Sequence, residues 1–91
     1  MRAKVWRYPG PGGWHFVTLS ARASGLLRHS ANVPRAGWGS IRVRAKLGAS
    51  EWATSLFPAK GGRYVLAIKA AVRRAEAVAA GDLVRIGCKL I

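Results

Sequence analysis

From Ile41 to Leu47 the chain reads IRVRAKL, with Ile41, Val43, Ala45 and Leu47 apolar and Arg42, Arg44 and Lys46 between them. A period of two predicts a strand with one face on a core and the other in water. Ala3, Val5 and Arg7 alternate with Lys4, Trp6 and Tyr8 in the same way. Near the end, Val84, Ile86, Cys88 and Leu90 are expected to face inward, leaving Arg85 and Lys89 outside. Trp14 to Leu19 is aromatic and β-branched, a strand by propensity, and Arg63 to Ile68 is a second β-prone run. Gly48 and Ala49 turn the Ile41 strand into another from Glu51 to Phe57.

Two stretches shift to a helical period. Ser20 can cap a short helix running to about His29, weakened by Gly25. Further on, Ile68, Ala71, Val72, Ala75, Val78 and Ala79 fall on one arc at the helical angle, with Lys69, Arg73 and Glu76 opposite. Gly81 is expected to end this helix, and Asp82 to serve the turn into the last strand.

The elements come twice. YPGPGGWHFVTL from Tyr8 and FPAKGGRYVLAI from Phe57 share an aromatic, a Pro, a Gly pair and a β-prone run, 49 residues apart. Pro9 pairs with Pro58, Gly12 with Gly61, Gly13 with Gly62 and Leu19 with Ile68. IRVRAKL from Ile41 then aligns with VRIGCKL from Val84 at an offset of 43, because the first copy has the longer connection HSANVPRAGWGS. A single domain, 1–91, thus carries an internal repeat, 3–47 and 51–91, each copy reading β-β-α-β. Tight Pro-Gly connections make hairpins, and two such units can interlock their hairpins and bury both apolar faces. The expected fold is mainly β: about six strands in a small barrel-like sheet, with two short helices covering its ends.

Composition adds one outlier. Sixteen Lys and Arg, eleven of them Arg, stand against Glu51, Glu76 and Asp82, a net charge of +13 over 91 residues. Half the residues are hydrophobic, enough for a core in a chain that buries about 60% of its unfolded surface. Cys88 is the only cysteine, which excludes an internal disulfide and fits a reducing, cytoplasmic setting. No apolar stretch follows Arg2 and Lys4, so a signal peptide is not expected, and no run has the length of a membrane span.

The segments GGWHFVTL, GWGSIRV, TSLFP and AVRRAEAVAAGDLVRI, in that order, resemble a small prokaryotic domain of unknown function, the DUF1905 family, over nearly the whole chain. That domain occurs alone or beside a helical domain labelled bacteriocin-protection. The resemblance implies a double-split β-barrel, a fold shared with swapped-hairpin regulators of the AbrB and antitoxin type, many of which bind DNA as intertwined dimers. It brings no catalytic residues with it. The first helix, SARASGLLRHS, departs from the pattern in being Gly-interrupted and free of acids.

Candidate chemistry is sparse. Cys88, His15, His29 and three acids show no spacing that assembles a nucleophile with a base, an acid–base pair or a metal site, so no catalytic residue, metal or cofactor is expected. Cys88 is expected to pack as a small apolar residue, and Glu76 to pair with Arg73 or Lys69 along its helix. PGPGG and PAKGG run from strand to strand, whereas phosphate loops run into helices, so both read as hairpin turns.

The cations remain. Arg42, Arg44 and Lys46 project from one strand face, and Arg85 and Lys89 hold the equivalent positions in the second copy. Lys69 and Arg73 add a helical stripe, and Trp38, between Gly37 and Gly39, can stack on a base. Genome composition also produces Arg- and Ala-rich chains, but it does not account for the shortage of acids. Two expectations follow. The first is a non-enzymatic domain that binds nucleic acid or another polyanion without strong sequence preference. The second is a protein-interaction or small-ligand module of the kind associated with bacteriocin-protection proteins, using Trp6, Trp14, Trp38, Trp52 and Tyr64, with an acidic protein as partner. A chain holding both copies favours a monomer over a homodimer.

Overall fold

The computed structural model describes residues 1–31 and 39–91. Among these, seven strands form one antiparallel sheet: β1 (Arg2–Lys4), β2 (Trp6–Arg7), β3 (His15–Thr18), β4 (Ile41–Leu47), β5 (Ser50–Pro58), β6 (Tyr64–Ala67) and β7 (Leu83–Leu90). Two helices, α1 (Ala21–Ser30) and α2 (Ala70–Glu76), complete it. The strand order is β1-β7-β4-β5-β6-β3-β2.

The two outermost strands of that row are consecutive in the chain. Val5 joins them; its N–H donates to Asp82 O at 2.8 Å and its carbonyl accepts from Gly81 N at 2.8 Å. One N-terminal strand therefore pairs first with β7 and then with β3, bringing the sheet's two edges together. The result is a nearly closed, barrel-like sheet. Counting β1 and β2 as one bent strand recovers the six expected.

Both Pro-Gly segments are hairpin turns. Tyr8 N donates to Trp14 O across the β2–β3 turn, and Ala59 N to Arg63 O across the β5–β6 turn, each at 2.8 Å. The first turn encloses Pro9 to Gly13 and the second only Lys60 to Gly62, so the two turns differ by two residues. Pro9 lies inside its turn while Pro58 is the last residue of β5, so their match in sequence is not a match in place.

The central registers follow the two offsets. In β3–β6, Val17 stands opposite Leu66; in β4–β7, Ala45 stands opposite Cys88. These are the residues that the offsets of 49 and 43 equate. Leu19 N donates to Tyr64 O, and Ile68 N to His15 O, both at 2.9 Å, which are equivalent bonds under the first offset. The helices also start from equivalent extended caps, Ser20 and Lys69.

Alternation places the core. Ile41, Val43, Ala45 and Leu47 are all buried and Arg42, Arg44 and Lys46 all exposed. They meet Val5, Val17, Leu56, Leu66, Ile68 and Ile86 in one cluster. The phase of β7 is as expected, but burial fades towards its end, and Leu90 is exposed. Ser20 caps α1 by accepting from Ala23 N at 3.1 Å. One turn on, Ser24 is completely buried, and its Oγ accepts the Tyr64 N–H at 3.0 Å.

Helix α2 departs from expectation. It stops at Glu76, not Gly81, because Ala77 takes the left-handed conformation (φ 53°, ψ 47°) and its N–H closes the last turn. Val72 is its only buried residue, while Ala71, Ala75 and Ala79 are exposed. Glu76 does not pair with Lys69 or Arg73. Its carboxylate accepts from Ser50 Oγ at 2.7 Å and Ala49 N at 3.3 Å, tying the helix to the β4–β5 hairpin. Gly48 makes room for it: its φ is +60°, and a Cβ there would collide with that carboxylate. Asp82 serves its turn as expected, accepting from Ala79 N at 2.9 Å.

Candidate functional site

Strand pairing decides which cations share a surface. β4 and β7 are neighbours, and Arg44 stands directly opposite Lys89. Arg42, Arg44 and Lys46 point away from the core, as do Arg85 and Lys89. On the far side of β7, Arg2 of β1 stands opposite Arg85, and Lys4 follows on the same side. Directly opposed side chains lie about 5 Å apart and successive ones along a strand about 7 Å apart. The outer surface of β1, β7 and β4 thus carries seven cations, with exposed Leu83 opposite Lys4 and Gly87 opposite Lys46.

Little neutralises it. Glu51 of β5 approaches Arg44, Oε1 to Nε 3.7 Å, with both side chains about half exposed. Such a pair contributes little in water. Arg42 Nη1 donates to Ser55 Oγ at 3.1 Å. The other two acids, Glu76 and Asp82, are already committed to Ser50, Ala49 and Ala79.

Lys69 and Arg73 belong to another element. They stand at the start of α2 and line a cleft of about 370 Å³ with Trp14, His15 and Trp52. That cleft reaches Ala53, the residue opposite Arg44. Arg73 Nε donates to Ile68 O at 3.1 Å, fixing the side chain against the strand end. Nδ1 of His15 donates to Gly13 O at 2.7 Å. Trp38 lies outside the described residues. Of the other aromatics, Trp52 and Tyr64 belong to the core, whereas Trp6 and Trp14 are exposed.

Two features were not read from the sequence. Arg2 and Lys4 extend the cation cluster, which depends on β1 pairing with β7. Trp6, Phe16 and Trp14 form a row, which depends on the register that sets Trp6 opposite Phe16. The spacing of Trp14 and Phe16 was the available signal, since residues two apart share a strand face.

Burial raises the Cys88 thiol above its ordinary pKa, outweighing a smaller lowering by the nearby amino terminus. At neutral pH it is a thiol, not a thiolate. Among the described residues no three His, Cys, Asp or Glu side chains are grouped to hold a metal, and no helix is long and apolar enough to cross a membrane.

The class is therefore a small, mainly antiparallel β domain with a nearly closed sheet, two short helices and a cluster of exposed cations on the outer face of β1, β7 and β4. Residues 2–87 match DUF1905, a domain of unknown function, and the chain belongs to that family. No curated protein and no solved structure matches the chain.

Proposed function

We propose that the domain binds nucleic acid through its phosphate backbone, without strong sequence preference and without catalysis. The observation that carries this is the adjacency of β4 and β7, with Arg44 facing Lys89. It gathers Arg42, Arg44, Lys46, Arg85 and Lys89 on one uncovered surface, where Arg2 and Lys4 continue the array. Cations at strand spacing suit a polymer of phosphates, and Arg adds a bidentate fork. Side-chain contacts to phosphate carry no base code, hence the lack of preference. Lys69 and Arg73 form a second cationic point beside the Trp14 cleft.

The architecture we propose behind this is a double-split barrel assembled from two β-β-α-β units, 3–47 and 51–91, in a monomer. Its support is the pairing of Val17 with Leu66 and of Ala45 with Cys88, residues that the repeat makes equivalent. A dyad through both pairs lets one chain supply both halves. A lone, neutral thiol suits a cytoplasmic setting.

The test is fluorescence anisotropy of labelled DNA and RNA as salt is raised. Log K should fall with log salt at about −0.9 per phosphate neutralised on duplex. Reversing charge at Arg44 and Lys89 together should flatten that slope. Binding that ignores salt, or is absent at micromolar protein, ends the proposal. Recovery of a defined acidic protein with no nucleic acid co-purifying moves the site to that partner instead.

A further inference from the structure

Away from the β4 and β7 cations, the outer surface carries a row of three aromatic rings. Val17 and Leu19 point into the core, so Trp14, Phe16 and Thr18 alternate outward along and beside β3. Trp6 of β2 stands opposite Phe16, with ring centroids 5.1 Å apart. Trp14 follows at 6.1 Å from Phe16, its plane only 14° off parallel.

These rings are positioned although they are not buried. Trp6 Nε1 donates to Thr18 Oγ1 at 3.0 Å. A side chain at Gly12 would meet the Trp14 indole, its Nε1 at 2.9 Å, so the glycine lets that ring lie over the turn. Trp14 is nevertheless 56% exposed. It contributes to no part of the core, and leaving an indole in water forgoes burial that the fold could have used.

What lies beside it indicates the occupant. Trp14 walls the cleft that Lys69 and Arg73 line, and no acid lines that cleft. An apolar partner surface would have to desolvate both cations, whereas an anionic chain with flat aromatic groups satisfies ring and charge together. Unpaired nucleotides are such a chain. A duplex hides its base faces in the stack, so it cannot use the rings.

We infer that Trp14, with Phe16 and Trp6 behind it, is a stacking platform for the bases of single-stranded nucleic acid, with Lys69 and Arg73 receiving the adjoining phosphates. This rests on the nucleic-acid reading above and narrows it to the strand form and the side of the barrel.

The experiment compares a labelled short oligothymidine, a duplex of the same length and a polyglutamate peptide, each by anisotropy at one low salt concentration. The proteins are the wild type, Trp14→Ala, Trp14→Phe and a double charge reversal at Arg44 and Lys89. Stacking lost at one base should weaken oligothymidine binding by about 5- to 150-fold in Trp14→Ala. Duplex binding should stay within about twofold, and Trp14→Phe should restore most of the single-strand loss, because a ring remains. Trp14 is exposed, so its variants keep the core, which unchanged circular dichroism would verify. Oligothymidine binding indifferent to Trp14→Ala, or polyglutamate held as tightly as oligothymidine, overturns the platform. If duplex binding persists and still responds to the Arg44 and Lys89 reversal, the broader reading survives that result. Failure of the wild type to bind either nucleic acid overturns both.

Discussion

Ser24→Ala tests how much one buried oxygen holds together. Ser24 is fully buried, and its Oγ accepts the N–H of Tyr64 at the start of β6. The bond fastens α1 to the sheet, and Tyr64, only 4% exposed, has no water to replace it. An orphaned buried donor costs about 1–3 kcal/mol. Ser20→Ala makes the same chemical change at the helix cap, where the oxygen serves Ala23 N on a partly exposed turn. Losing an N-cap costs about 1 kcal/mol. Ser24→Ala should therefore be the more damaging, at about 2 kcal/mol. At about 4–8 °C per kcal/mol for a domain of this size, Tm should fall by about 10 °C. Urea denaturation of both variants measures this, with the m-value checked for constancy. Amide exchange at Tyr64 should accelerate selectively in Ser24→Ala. A loss under about 0.5 kcal/mol, or one smaller than that of Ser20→Ala, would refute the reasoning from burial.

Gly48→Ala should cost about 1–2 kcal/mol for its left-handed backbone, and about 1 kcal/mol more as Glu76 is pushed off Ser50 and Ala49. In a Glu76→Ala background the second loss should vanish, and a double-mutant cycle on urea midpoints would show it; a zero coupling energy would mean that the carboxylate does not hold the hairpin. Cys88 should resist alkylation at neutral pH in the folded protein and react freely in urea. Its folded-state pKa is raised, so the stability it carries is complete below the unfolded-state pKa and is lost as pH rises through the folded-state value. Stability should therefore decline on the alkaline side in wild type and less so in Cys88→Ala.

Legibility tracked how loudly each residue speaks for one face. In β4 every inward residue is aliphatic and every outward one a cation, so a period of two had no competitor. In α2 the face was assigned largely by Ala71, Ala75 and Ala79, and alanine costs little on either side. Glu76, a charge, went to the half-buried side because two hydrogen-bond donors of the β4–β5 hairpin wait for it there. Ala77 then ended the helix in a conformation that its sequence does not advertise. The repeat equated Leu19 with Ile68 and Ala45 with Cys88, but aligning Pro9 with Pro58 could not show that the first turn is two residues longer. Alternation also tells which way a side chain points without naming its neighbour across the strand. That is why the β4 and β7 cations could be named, while the contribution of Arg2 and Lys4 waited for the pairing of β1 with β7.

The placement of charge bears on why this outer surface exists at all. Like charges directly opposed across a sheet are destabilising, and here Arg44 faces Lys89 and Arg2 faces Arg85. A chain selected for stability alone would relieve those pairs with acids, as cross-strand partners commonly do. This one has three acids. Glu51 faces Lys46 and approaches Arg44, while Glu76 holds the β4–β5 hairpin and Asp82 the turn before β7. Neither the Arg2–Arg85 pair nor Lys89 therefore has an acid beside it among the described residues. Among the described residues these cations also stay exposed. Val72 of α2 and Ser24 of α1 turn towards the core, so the helices' packing is spent inward. The strain is tolerable while the cations are solvated and exposed, since water and salt screen it. Under the proposed function it would become useful, because a ligand bringing negative charge would release on binding the repulsion already present in the free domain. The cations stand on the outer faces of strands whose inner faces make the core, so the barrel fixes where each side chain begins while its charged end stays mobile. On the proposed reading, a polyanion finds the strand spacing already set and has only the side-chain ends left to order.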